Sequence, residues 1–157
     1  MLFSVAAVCL GGTTSCSLWQ RWTPKKEVVT YPAGKTAEEK VFYAVNGFRG
    51  NHGRAPLVRH PGLDAIARRH AQAMARAGKI HHKGLSAREA EARQTLGLQS
   101  FGENLGRAGT VDPSPLLGMW ANSSMHRSNL MGKWSQTGIG AARGRDGALY
   151  VVQLFGH

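Results

Sequence analysis

The hydrophobic pattern of this chain changes its period once, and that change constrains the fold more than any other feature. Before Thr137 the apolar residues recur three and four positions apart, with capping and stop signals between the runs; from Thr137 onward they read as strand. Gly138-Ile139-Gly140-Ala141-Ala142, a turn at Arg145-Asp146-Gly147 and Leu149-Tyr150-Val151-Val152-Gln153-Leu154-Phe155 predict a terminal β-hairpin with Asp-Gly at its tip. Helices first and paired strands last, in a chain of 157 residues, predict a single α+β domain built in layers.

The helical part divides at its own punctuation. Thr36-Ala37-Glu38-Glu39 is a capping box that starts a first helix, with Val41, Phe42, Val45 and Phe48 on one face and Gly50-Asn51-His52-Gly53 ending it. Pro56-Leu57 is a short extended link. His60-Pro61 opens a second helix with proline in its first turn. On it Leu63, Ile66, Ala67, His70, Met74 and Ala77 form the buried stripe, Arg68, Arg69 and Arg76 point away, and Gly78 is the stop. A histidine on such a stripe is expected to be a core residue satisfied by a neighbouring carbonyl or hydroxyl. Ser86-Ala87-Arg88-Glu89 is read as a second capping box, opening a short polar helix that runs out near Leu96-Gly97. Asp112-Pro113 reads as an N-cap with proline at N1, ahead of a helix whose apolar face is Leu116, Leu117 and Trp120.

Both cysteines lie near the start, at Cys9 and Cys16. Met1 to Leu10 is an uncharged apolar run, followed by small residues and then Cys16; it is too short to span a bilayer as a helix, which needs about 20 apolar residues. Residues 1–16 therefore read as an export signal of lipoprotein type, with Cys16 as the lipid-bearing residue. Thr13 stands where such sites prefer an aliphatic residue, and no basic residue precedes the apolar run. Residues 17–35 show no periodicity and read as a linker, leaving 36–157 as the domain. If the signal is removed at or after Cys16, no cysteine is left for an internal disulfide, and the core alone must hold the fold.

All charged residues follow Cys16, and they sum to +11, from 20 Lys and Arg against 9 Asp and Glu. Such an excess attracts polyanions or anionic lipid without choosing among them, and it is equally compatible with a solvated basic surface. The basic residues are scattered and no recognition motif accompanies them, so no nucleic-acid partner is expected. Gly138-x-Gly140 with Gly144 is not a nucleotide loop, because the glycines fall inside a strand with no helix after them.

Between His81 and Leu130 the chain concentrates polar chemistry among apolar residues. The segments are His81-His82, Gly102-Glu103-Asn104-Leu105 and Trp120-Ala121-Asn122-Ser123-Ser124-Met125-His126-Arg127-Ser128-Asn129-Leu130. Together with Asn46, Arg49 and Pro56-Leu57 before them and Gly138-Ile139-Gly140 and Val152-Gln153-Leu154-Phe155-Gly156 after, these resemble, in order and spacing, the CAP superfamily. This is the SCP-like or PR-1-like extracellular domain, here in its bacterial branch, and the resemblance covers roughly residues 37–156.

The resemblance implies a three-layer α-β-α sandwich with a cleft lined by two histidines and one or two glutamates, which in some members binds a divalent metal such as zinc. Carried over by position, the histidines are His82 and His126 and the glutamate is Glu103, with Asn104 beside it; His81 is one residue off. Ser123 stands where eukaryotic members place a second glutamate. Read as chemistry alone, the three residues allow several roles. Two neutral imidazoles with an acid suit Zn²⁺ with open positions, a carboxylate between imidazoles can act as general base on water, and a carboxylate with histidines around it can also be a structural hub. No Ser or Cys nucleophile is paired to a base, since Ser123 and Ser124 precede His126 too closely on one segment to form a triad. The expectation is an exported protein of the bacterial cell envelope, lipid-anchored or secreted. It acts as a binding module for lipid or anionic envelope components, with a metal-assisted, peptidase-like hydrolase as the alternative.

Overall fold

The computed structural model describes residues 34–157. The export signal, Cys16 and all but the last two residues of the linker lie outside the described residues. The elements run α1 (Ala37–Asn51), β1 (Val58–Arg59), α2 (Pro61–Ala77), α3 (Leu85–Leu96), β2 (Phe101–Ala108), α4 (Ser114–Asn122), α5 (Ser124–Met131), β3 (Gln136–Arg143) and β4 (Leu149–Gly156). The four strands form one sheet in the order β1-β3-β4-β2, with β3 and β2 antiparallel to β4 and β1 parallel to β3.

Strand β4 is buried along its whole length because it lies inside the sheet with helices on both faces. Its side chains alternate between two cores, as the two-residue period of a strand requires. Leu149, Val151 and Phe155 pack with α1, α4 and α5 residues such as Val45, Phe48 and Trp120. Tyr150, Val152 and Leu154 pack with α2 and α3 residues such as Leu63, Met74 and Ala92. The result is a three-layer α-β-α sandwich in a single domain, and none of its described residues is a cysteine.

Helix α2 lies directly on β3, and glycine makes that possible. A Cβ on Gly138 would come within 2.2 Å of the Leu63 backbone carbon, and one on Gly140 within 2.2 Å of the Arg68 nitrogen. The Gly-x-Gly of this strand is thus a seat for a helix, and β4 rather than a helix follows it, which excludes the nucleotide loop. The N-terminus of α2 is tied to the sheet as well. Asp64 in its first turn accepts from the Ile139 amide (2.8 Å) and pairs with Arg59 of β1 (2.8 Å). His60 caps the helix, its Nδ1 accepting from the Gly62 amide at 3.1 Å.

The Thr36–Glu39 capping box forms as expected, with both reciprocal hydrogen bonds present. Three local expectations are corrected. Helix α3 begins at Leu85 behind a left-handed Gly84, so Ser86 lies inside the helix and caps nothing, while Glu89 pairs with Arg93 on the exposed face. Pro113 itself occupies the cap of α4, and Asp112 accepts from the Ser114 amide one step earlier. Ala77 is exposed and the stripe of α2 is completed by Ala71 and Ala75, because the helix is ending where Ala77 would have faced inward. Two strands had no sequence expectation: β1 has only two residues, and β2 is broken by Gly102, Glu103, Asn104 and Gly106, a poor strand composition.

Candidate functional site

Strand β2 is an edge of the sheet, and its alternation sends neighbouring residues to opposite faces. Phe101 and Leu105 belong to the α2/α3 core, so Glu103 between them faces that side. Asn104 faces α5, while Gly106 leaves room for Leu116 of α4, whose Cδ1 would lie 2.0 Å from an added Cβ. Trp120 locks this arrangement by donating its indole N–H to the Leu105 carbonyl at 2.7 Å.

Glu103 is the most committed charge in the domain. Its side chain is 1 % exposed, and three hydrogen bonds of 2.8 Å reach its carboxylate. Arg88 of α3 donates Nε to Oε2 and Nη2 to Oε1, a two-pronged pair, and His82 Nδ1 donates to Oε1. A third Arg88 nitrogen, Nη1, donates to the Lys83 carbonyl at 2.9 Å and holds the loop that carries His82. Buried charge of this kind is tolerated only when fully paired, and here it is.

On the other face, Asn104 is wholly buried and donates to the His126 carbonyl at 3.1 Å, while its own oxygen accepts from Asn129. Asn129 also donates to the Glu103 carbonyl at 3.1 Å, so the first two turns of α5 are stitched to β2 through two amides. The His126 Nδ1 is buried with no hydrogen-bond partner among the described residues. Burial, and secondly the charge of His82, hold the His126 pKa below the usual histidine range, which keeps the ring neutral.

A cleft of about 410 Å³ opens along β2 between α3 and α5. Phe101, Gly102 and Glu103 line it from the strand, His82, Leu85 and Glu89 from the α3 side, and Met125, His126, Ser128 and Asn129 from α5. The structure thus brings His82, Glu103 and His126 together from three separate segments. It places Asn104 behind the cleft as the support of His126, and it leaves Ser123 at the cap of α5, outside the lining. His81 turns away from the cleft. Its ring meets the buried His70 edge-on at 5.4 Å and its carbonyl accepts from His70 Nε2 at 2.9 Å, which satisfies His70 as a core histidine.

Arg88 is the site residue that the sequence reading missed. It lies 15 positions from Glu103 on a helix with hardly any apolar face, so no local pattern connects the two. The one available signal was general: a glutamate among apolar residues requires a cation, and the polar helix after His82 supplies the nearest candidates.

These donors do not fit a divalent cation held through Glu103. Both carboxylate oxygens are engaged, the adjoining guanidinium repels a cation, and His82 turns Nδ1 to the carboxylate. Among the described residues no three His, Cys, Asp or Glu side chains are grouped as a metal would need. The charge-assisted pairing with Arg88 and His82 likewise stabilises the carboxylate as an anion and makes it a weaker base toward water.

The three-layer α-β-α sandwich, with a buried glutamate and two histidines at the open edge of its sheet, is the arrangement that the resemblance to the CAP, or SCP-like, domain implied. The chain belongs to the cysteine-rich secretory protein family, whose profile matches residues 42–155. Its fold is similar to that of an extracellular protein containing an SCP domain from Bacillus anthracis, with a TM-score of 0.66 and 24 % identity over 77 % of this chain and 40 % of that one. It is also similar to an outer surface protein of Borrelia burgdorferi (TM-score 0.67, 18 % identity, 76 % of this chain and 91 % of that one). A cysteine-rich secretory protein of Staphylococcus aureus matches with a TM-score of 0.62 and 22 % identity, over 81 % of this chain and 41 % of that one. The chain therefore spans about two fifths of the Bacillus and Staphylococcus proteins it matches. No curated protein sequence matches it significantly. Among the described residues no helix is long and apolar enough to cross a membrane.

Proposed function

We propose that this chain is an exported binding module of the bacterial cell envelope, whose cleft takes a lipid-class ligand and whose basic surface favours anionic envelope components. The observation that carries the reading is the pairing of both Glu103 oxygens with Arg88 and His82, which makes the carboxylate a scaffold of the cleft. The lining supports the ligand class: Leu85, Phe101 and Met125 offer apolar surface beside two imidazoles, a combination suited to a chain with a polar head. Residues 1–16, read as a lipoprotein-type export signal, would attach the domain to a membrane through Cys16, and the net charge of +11 would draw it to anionic surfaces.

The test is binding of the purified chain to a fluorescent fatty acid and to vesicles with and without anionic lipid, at moderate salt. Met125 is 73 % exposed on the rim, so Met125→Glu leaves the core untouched and should weaken fatty-acid binding about tenfold or more. Failure of the parent chain to bind fatty acid, vesicles or cell-wall material overturns the proposal.

The alternative is a metal-assisted, peptidase-like hydrolase with His82 and His126 as ligands and Glu103 as base. One observation favours it, the unpartnered Nδ1 of His126. It requires Glu103 to give up Arg88. Glu103→Gln separates the two, because a hydrolase would lose turnover while staying folded, whereas a structural hub would lose stability.

A further inference from the structure

Arg49 of α1 is 1 % exposed, yet among the described residues no acid pairs with it. Its guanidinium donates only to carbonyls: Nε to Ala55 (2.9 Å), Nη1 to Leu130 (2.8 Å) and Gly132 (3.1 Å), and Nη2 to Trp134 at a long 3.5 Å. Those four bonds leave one of its five N–H groups, on Nη2, unassigned. The carbonyls satisfy hydrogen bonding without neutralising the charge, and a buried cation without a counter-ion is costly. Burial, and secondly the charge of Arg54, lower the Arg49 pKa from its usual value.

A second pocket of about 310 Å³ opens over this group. It shares no residue with the cleft, and it takes its walls from the loop after α1 and the segment after α5. Arg54 and Lys133 on its lining are exposed, and neither has an ion-pair partner among the described residues. Trp134 forms a wall and is itself fixed, donating its indole N–H to the Asn129 carbonyl at 2.8 Å and packing against Phe155. No Asp or Glu lines the pocket. The backbone carbonyl of His157 is turned to the Gln99 and Ser100 amides, and its ring to Ser135.

We propose that this pocket is an anion site for a phosphomonoester, with Arg49 as its buried cation and Arg54 and Lys133 as the clamp. Three cations with no Asp or Glu among them favour a ligand with more than one negative charge, which a phosphate monoester carries near neutral pH and a single carboxylate does not. The Arg54 guanidinium fork matches two oxygens of a phosphate, Lys133 adds a point charge, and Arg49 contributes its charge and its one remaining N–H from below. The volume exceeds that of the phosphate group itself, so the pocket also admits part of the molecule that bears it. This inference is independent of the lipid reading of the cleft.

The test is titration of the full chain with inorganic phosphate and with glycerol phosphate at constant ionic strength, followed by calorimetry and by the indole N–H resonance of Trp134. Saturable binding with a shift at Trp134 is expected. The Arg54→Ala/Lys133→Ala double variant should bind at least about tenfold more weakly, since a hydrogen bond to a charged group contributes that much or more. Arg68→Ala/Arg76→Ala removes an equal number of positive charges from the exposed face of α2 and should leave binding unchanged. His82→Ala, in the cleft, should also have no effect, which keeps this result separate from the fate of the lipid reading. A response that does not saturate, or equal losses in the two double variants, would mean that only overall charge attracts the anion, and the pocket proposal would fall.

Discussion

Replacing Arg88 by methionine keeps most of the side-chain volume and removes the cation that Glu103 faces. In the parent chain two of the three bonds to this carboxylate come from Arg88, and the third comes from a half-exposed His82. After the change the carboxylate keeps its inward place on β2, with one imidazole donor left. Breaking a buried ion pair from one side costs about 3–5 kcal/mol. The Arg88 side chain is 11 % exposed, so water can enter the vacated space, and the expected cost lies at the lower end, about 3 kcal/mol. Urea unfolding followed by tryptophan fluorescence should show a lower midpoint at unchanged slope, with the melting temperature down by roughly 10 °C. Removing both charges in Arg88→Met/Glu103→Gln should be less damaging than the sum of the two single changes, with a coupling of at least about 1 kcal/mol. If Arg88→Met stays within about 0.5 kcal/mol of the parent, as a surface substitution would, or if the single costs simply add, Glu103 is not the buried hub described above.

Two glycines on different elements should respond in opposite senses. Gly138→Ala forces a methyl group into the Leu63 backbone and should lower stability by about 3 kcal/mol or more, or prevent soluble folding, because neither helix nor sheet can yield locally. Gly47→Ala, inside α1 with open space around its Cα, should raise stability by about 0.5–1 kcal/mol through helix propensity, and thermal melts of both variants are the check. The pH profile offers another test. Burial lowers the pKa of both His70 and His126, with the charges of Arg88 and His82 respectively adding to the effect. A histidine with a lower pKa folded than unfolded takes up its proton on unfolding. Stability is therefore complete above the unfolded value of about 6.5 and declines as pH falls through that value towards the folded one. Urea midpoints measured from pH 8 to pH 5 should fall, and fall less steeply in His126→Gln and in His70→Gln, whose amide can still donate to the His81 carbonyl. An unaltered slope in both variants would exclude these two rings as the cause.

The helices and the terminal hairpin were legible because their signals are local. The capping box at Thr36–Glu39, His60-Pro61, the Leu116-Leu117-Trp120 face and the Asp146-Gly147 tip each act within a few residues of themselves, and each element formed where those signals lie. The layered α+β class followed from their order along the chain, and the resemblance of dispersed motifs named the family and picked out His82, Glu103 and His126. Strands β1 and β2 escaped because neither carries its own pattern. One is two residues long, and the other is a run of glycine, glutamate and asparagine that becomes a strand only because β4 offers it eight paired positions.

What tertiary structure alone decided is the chemical state of the site. From sequence, Glu103 could serve as metal ligand, general base or hub, since nothing within a few residues distinguishes these roles. The packing of α3 against the sheet brings Arg88 onto both carboxylate oxygens, and the alternation of β2 turns Asn104 the opposite way to hold α5. The same holds for Arg49, whose carbonyl partners come from segments up to 85 positions away. Residue identity and local spacing determine which groups a chain possesses and which elements carry them. Long-range pairing determines which groups neutralise one another and which remain free to meet a ligand, because an ionic or hydrogen-bonded contact depends on distance in space and on burial, and neither is encoded within a local window of sequence.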